Sequence, residues 1–177
     1  MEILSIILIG VSLSMDAFSL SLCYGTLNLN NNKIKLLSLI VGVYHFVMPL
    51  IGMLFGHFIG KYILVDIKYV VFLIFILLGI QMINDVIKKK RHVILLNNFG
   101  LLLFGFAVSI DSFSAGIGVE FISDNRLLCS IVFSTTSAIF TFIGLKIGGK
   151  ISSRFKDLAP VMGGLIFITL AIVYIFK

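Results

Sequence analysis

Six apolar runs, separated by short polar turns, organise the chain. They extend from Ile3 to about Thr26, Leu36 to Gly60, Tyr69 to Val86, Val93 to Val119, Leu127 to Gly149 and Leu158 to Phe176. A helix needs roughly 17 to 25 predominantly apolar residues to cross the hydrocarbon of a bilayer, and every run reaches that length. Between them lie Asn28 to Lys35, Lys61 to Lys68, Lys88 to Arg91, Asp124 to Arg126 and Lys150 to Asp157. In lipid the backbone must satisfy its own polar groups, so each run is expected as an α-helix. The predicted fold class is an all-α integral membrane protein of six transmembrane helices, with no connection long enough to hold a soluble domain.

The runs repeat in order. The first and fourth share a polar motif, Ser14-Met15-Asp16-Ala17-Phe18 and Ser109-Ile110-Asp111-Ser112-Phe113. The second and fifth share Ile-Gly-x-x-x-Gly, at Ile51, Gly52, Gly56 and at Ile143, Gly144, Gly148. The third carries Leu73-Ile74-Phe75-Ile76-Leu77-Leu78-Gly79-Ile80, and the sixth Leu165-Ile166-Phe167-Ile168-Thr169-Leu170-Ala171-Ile172. The division is a first three-helix repeat over 1–87, a basic loop over 88–92 and a second repeat over 93–177. An odd number of spans per half gives the halves opposite orientation. Such inverted repeats are common in secondary transporters, whose substrate site lies near the midplane between them.

Composition agrees with the pattern: 59% of residues are hydrophobic and 12% charged, against about a quarter charged in soluble domains. The net charge of +6 reflects loops rather than a nucleic-acid surface. Lys33, Lys35, Lys88, Lys89, Lys90, Arg91, Lys150, Arg154 and Lys156 fall on one side of the predicted topology, and Lys61, Lys68, Arg126 and Lys177 on the other. The first side is expected to be cytoplasmic and both termini extracytoplasmic. Lys146 is placed to snorkel to the inner face. Cys23 and Cys129 then lie near opposite faces and are not expected to form a disulfide. The first run reads as a span rather than a signal peptide, since Glu2 precedes it and no basic segment does. No Walker A loop is present, so the chain is not expected to be an ATPase, and no cofactor is implied.

The costly residues are the aspartates. A charged carboxylate at the centre of a spanning helix costs roughly 2.5 to 3.5 kcal/mol on insertion scales. Asp16 shares a helical face with Ser12 and Ser19, and Asp111 with Ser114, because residues three or four apart are neighbours. Two carboxylates flanked by hydroxyls suit a divalent cation. The competing reading is a pair of protonated acids that only join helices. His45, four residues before Pro49, is a candidate metal ligand, proton carrier or packing residue. Pro49 removes a backbone hydrogen bond nearby. Ser134 to Ser137 occupy the corresponding stretch of the fifth run, with Ser137 the counterpart of His45; hydroxyls of this kind supply weak ligands or bond to their own helix. Gly52, Gly56, Gly60, Gly144, Gly148, Gly163 and Gly164 read as close helix packing. Met15 and Ser14 read as packing, and His57 as interfacial.

At these residues the chain resembles the MntP-type manganese efflux pumps of bacteria, allied by fold to the lysine-exporter superfamily. Ser14 to Phe18, Ser109 to Phe113 and Met48-Pro49-Leu50-Ile51-Gly52 carry the resemblance. It implies Mn²⁺ export from the cytoplasm across the bacterial plasma membrane, with Asp16 and Asp111 essential. His45 departs from the acidic residue expected there in some members.

The expected function is therefore secondary transport of Mn²⁺ or other divalent cations by proton antiport, with Asp16, Asp111, His45, Ser12, Ser19, Ser114 and Ser137 as candidate ligands. Mn²⁺, protons and lipid are the implied partners. The rival readings are a non-transporting scaffold of a sporulation-related branch, an exporter of an organic cation or amino acid, and an intramembrane hydrolase with paired aspartates.

Overall fold

A computed structural model describes residues 2–25, 27, 29–61, 67–87, 98–150 and 153–176. Among these residues lie six α-helices: α1 (Glu2–Gly25), α2 (Asn31–Gly60), α3 (Ile67–Ile87), α4 (Asn98–Val119), α5 (Arg126–Ile147) and α6 (Ser153–Ile175), with one 3₁₀ turn, Gly148–Lys150, after α5. Four carry an apolar stretch long enough to cross a membrane: Ile3–Gly25, Asn31–Gly60, Gly100–Val119 and Arg126–Ile147. The apolar stretches of α3 and α6 are shorter, Tyr69–Asn84 and Pro160–Ile175.

Several expected boundaries move. The second helix begins at Asn31 rather than Leu36, because Asn30 caps it: its side chain accepts from the Lys33 N–H at 2.9 Å, satisfying a donor the first turn would leave open. What reads as an Asn-rich turn is thus largely a helix entry. The sixth helix begins at Ser153, inside the expected link over 150–157, and α5 ends at Ile147. The basic run Lys88 to Arg91 and the expected start of the fourth span near Val93 lie outside the described residues.

The packing partners are α1 with α5 and α6, α2 with α4 and α5, and α3 with α4 and α6. Glycine sets the closest approaches. A Cβ at Gly52 would strike the Phe113 carbonyl of α4, and one at Gly116 would strike Pro49 of α2. On the α1–α5 side a Cβ at Gly144 would come within 2.9 Å of the Phe18 carbonyl oxygen, and one at Gly148 would strike Leu22. Backbones packed this closely exchange dispersion contacts that lipid cannot replace.

Two apolar cores occupy opposite ends of the bundle. One gathers Ile6, Ile9, Leu13, Met53, Ala115, Val119, Cys129 and Phe133 with residues of α3 and α6. The other gathers Ala17, Tyr24, Ile34, Leu37, Val41, Leu101, Phe104, Val108 and Leu145. On each of α1, α2, α4 and α5 the switch between cores brackets a buried polar residue: Ser14, His45, Ser109 and Ser137. Outside, large apolar side chains such as Leu4, Leu39, Val43, Phe55, Phe58, Leu73, Ile131 and Leu165 stand exposed. A belt of that extent is the surface of a multi-pass membrane protein, not of a soluble monomer.

Candidate functional site

The polar layer is built from two similar junctions. In the first, Ser14 Oγ donates to the Gly10 carbonyl at 2.6 Å and stands 3.2 Å from Ser137 Oγ, joining α1 to α5. In the second, Ser109 Oγ donates to the Gly105 carbonyl at 2.7 Å and stands 2.9 Å from His45 Nδ1, joining α4 to α2. In each, a serine two residues before a motif aspartate bonds back one helical turn and reaches across to the counterpart helix. His45 Nδ1 also lies 3.0 Å from the Val41 carbonyl. All four side chains are buried.

The aspartates lie beside this layer, each half-buried. Asp111 Oδ1 accepts from Gln81 Nε2 of α3 at 2.7 Å. Ser19 and Ser114, three residues beyond the two aspartates, are half-buried as well. Ser12 is wholly enclosed, and its hydroxyl donates to the Gly163 carbonyl of α6 at 2.5 Å. That hydroxyl ties α1 to α6, and Ser137 is joined to Ser14. Among the described residues no three of His, Cys, Asp and Glu stand together as a metal-binding group. Among the described residues, the groups here that could meet a cation are the two carboxylates, neighbouring hydroxyl oxygens and the imidazole of His45.

Three further residues take part that local sequence pattern does not mark as functional. In sequence Ser109 is distinguished only as a motif neighbour of Asp111. Gln81 is a lone amide within an apolar run, which is the signal that could have singled it out. Glu120 directly follows α4 and, with a side chain 9% exposed, receives Arg126 Nε at 2.7 Å and Nη2 on its other oxygen. His57 Nδ1 lies 3.1 Å from Glu120 Oε1. This cluster links the end of α2, the end of α4 and the start of α5. Tyr174 of α6 adds a 2.7 Å hydrogen bond to the Phe121 carbonyl in the same connection.

A buried polar layer flanked by two motif aspartates invites comparison with known transporters. A family model described as "Putative manganese efflux pump" (Mntp) matches residues 28–175. The chain belongs to this Mntp family. A Bacillus licheniformis protein named "Putative manganese efflux pump MntP" is 32% identical over 169 residues, 95% of this chain and 91% of that protein. Proteins of the same name from Bacillus pumilus and Methanobrevibacter smithii are each 31% identical over 176 residues. They cover 99% and 97% of this chain, and the chain covers 96% and 95% of them. No solved structure matches the chain. Membership in the Mntp family agrees with the expectation drawn from the paired motifs.

Proposed function

We propose that the chain exports Mn²⁺ from the cytoplasm, exchanging it for protons at a site formed by Asp16 and Asp111. The observation that carries this reading is the buried polar layer between two apolar cores, with a motif aspartate beside each of its two serine junctions. Family membership supports the cargo.

The energetics argue for coupling. Moving two charges against an inside-negative potential costs roughly 4.6 kcal/mol per 100 mV. The two carboxylates can hold protons when the cation is absent and release them when it binds. Exchange of two protons for one Mn²⁺ is electroneutral and removes the electrical cost. Asp16 and Asp111 are the charged ligands in this reading. Ser19 and Ser114 add hydroxyl oxygens and His45 a nitrogen. Ser12 and Ser137 sit at the margin and hold helices in place.

We further propose that α1–α3 and α4–α6 are inverted repeats, with both termini extracytoplasmic. The support is that contacts map onto one another when α1 is exchanged with α4 and α2 with α5. Ser14 with Ser137 corresponds to Ser109 with His45. Gly144 against Phe18 corresponds to Gly52 against Phe113. Rocking of one half against the other then exposes the site alternately to each side.

The test is Mn²⁺ flux in proteoliposomes. An outward-directed flux that rises with an imposed pH gradient of the right sign is expected. Flux indifferent to that gradient would remove the antiport, and no flux at all would remove the export reading.

A further inference from the structure

We propose that Ser109 is a positioning residue that holds the His45 imidazole with its proton on Nδ1 and so presents Nε2 as the nitrogen donor for the transported cation; the donor role rests on the export reading above. The hydrogen-bond directions allow one arrangement. Ser109 Oγ lies 2.7 Å from the Gly105 carbonyl, which can only accept, so the serine's single proton goes there. Towards His45 Nδ1, 2.9 Å away, the serine oxygen therefore accepts. The Val41 carbonyl, 3.0 Å from the same nitrogen, is an acceptor too. Two acceptors at one ring nitrogen require that nitrogen to carry hydrogen; a bare Nδ1 would set its lone pair against two oxygens. Enclosure of the ring at 1% exposure disfavours its charged form, and neutral imidazole protonated at Nδ1 has its lone pair on Nε2. Histidines that bind metals commonly show this division, with the nitrogen away from the metal donating to an oxygen that fixes tautomer and ring orientation.

Two features lift this above helix packing. His45 is 1% exposed and enters the polar layer from α2, while its positioning partner is two residues from Asp111 on α4. The other junction is not equivalent, because Ser14 meets Ser137, whose hydroxyl offers oxygen where His45 offers nitrogen. Among the described residues the layer thus has a single nitrogen donor, supplied by one half of the molecule. A nitrogen donor shifts preference away from Mg²⁺ and Ca²⁺ towards transition-metal cations. Ser109 becomes a determinant of specificity although it does not itself meet the cation.

The chain has three histidines, His45, His57 and His92. In the full chain carrying His57→Gln and His92→Gln, in lipid nanodiscs, ¹⁵N NMR reads the His45 tautomer directly. A protonated Nδ1 and a bare Nε2 are expected, with added Mn²⁺ broadening Nε2 more than Nδ1. A proton on Nε2, or stronger broadening at Nδ1, overturns the inference. In proteoliposomes Ser109→Ala should raise the KM for Mn²⁺ about tenfold, the low end for losing an outer partner because Val41 remains. Ser109→Thr, which keeps the hydroxyl, should restore it. An unchanged KM in Ser109→Ala counts against the positioning role. His45→Gln, whose amide reaches the place of Nε2, should retain more export than His45→Asn, and the reverse order defeats the Nε2 assignment. The tautomer is read without transport, so a wild-type chain that moves no Mn²⁺ is recognised as a failure of the export reading instead.

Discussion

Gln81 of α3 donates a 2.7 Å hydrogen bond to the Asp111 carboxylate of α4. The position matching Gln81 in α6 is Val173, an exposed apolar residue. An amide at this position is thus present in one half and not in the other, although the local sequences of the two aspartates match. A hydrogen bond to a charged group contributes about 1.5 to 3 kcal/mol. Gln81→Leu should weaken Mn²⁺ handling on the order of tenfold in KM, with little change in expression. Flux at graded Mn²⁺ concentrations checks this, and an unaltered KM would show that the bond is incidental to transport.

Asp16→Asn and Asp111→Asn should each reduce export to background while the protein remains in the membrane. Asparagine keeps the shape and loses both the charge and the exchangeable proton. Manganese sensitivity of a deletion strain complemented with each variant, at matched protein level, is the measurement. Normal tolerance in either variant would falsify the two-aspartate site.

Close approach at Gly52 and Gly116 leaves no room for a side chain, since the obstacle at each is backbone of the partner helix. Gly52→Ala or Gly116→Ala should force α2 and α4 apart and destabilise the protein by about 1 to 3 kcal/mol, the usual range for overpacking. Thermal unfolding in detergent should fall for both. The reverse substitution at exposed Ala107, Ala107→Gly, should cost about 0.5 to 1 kcal/mol through helix propensity alone, because nothing is displaced.

The Glu120 carboxylate is enclosed by Arg126 and His57. Arg126→Ala strands it with only His57, whose side chain is half exposed. A double-mutant cycle between Arg126→Ala and Glu120→Gln should return a coupling of about 1 kcal/mol, because Arg126 retains solvent contact and screening reduces the pair. The single Arg126→Ala variant should be the least stable of the three. A coupling near zero would mean that solvent already satisfies the carboxylate.

Lys89 lies in the basic run that the positive-inside rule predicts to be cytoplasmic. In a chain with Cys23→Ser and Cys129→Ser, Lys89→Cys should react with an impermeant thiol reagent only in inside-out vesicles. Labelling in right-side-out vesicles instead would reverse the proposed orientation.

The sequence by itself determined the class of molecule, the six helices and the two aspartates in matching contexts. These follow from composition, run length and local motif, and each can be read without knowing which helices touch. It also marked the glycines as close-packing residues. Helix ends were less legible where a cap reached outward into polar sequence, as Asn30 does for α2. What only the tertiary structure decided was pairing: His45 with Ser109, Ser137 with Ser14, Ser12 with Gly163, Asp111 with Gln81, and Glu120 with Arg126 and His57. The physical reason lies in the helices. They are apolar on nearly every side, since lipid and core both accept apolar surface, so hydrophobic periodicity does not mark the inward face as it does in a soluble bundle. The rotation and crossing of each helix are set by where backbones can approach, and those approaches choose which serine meets which partner.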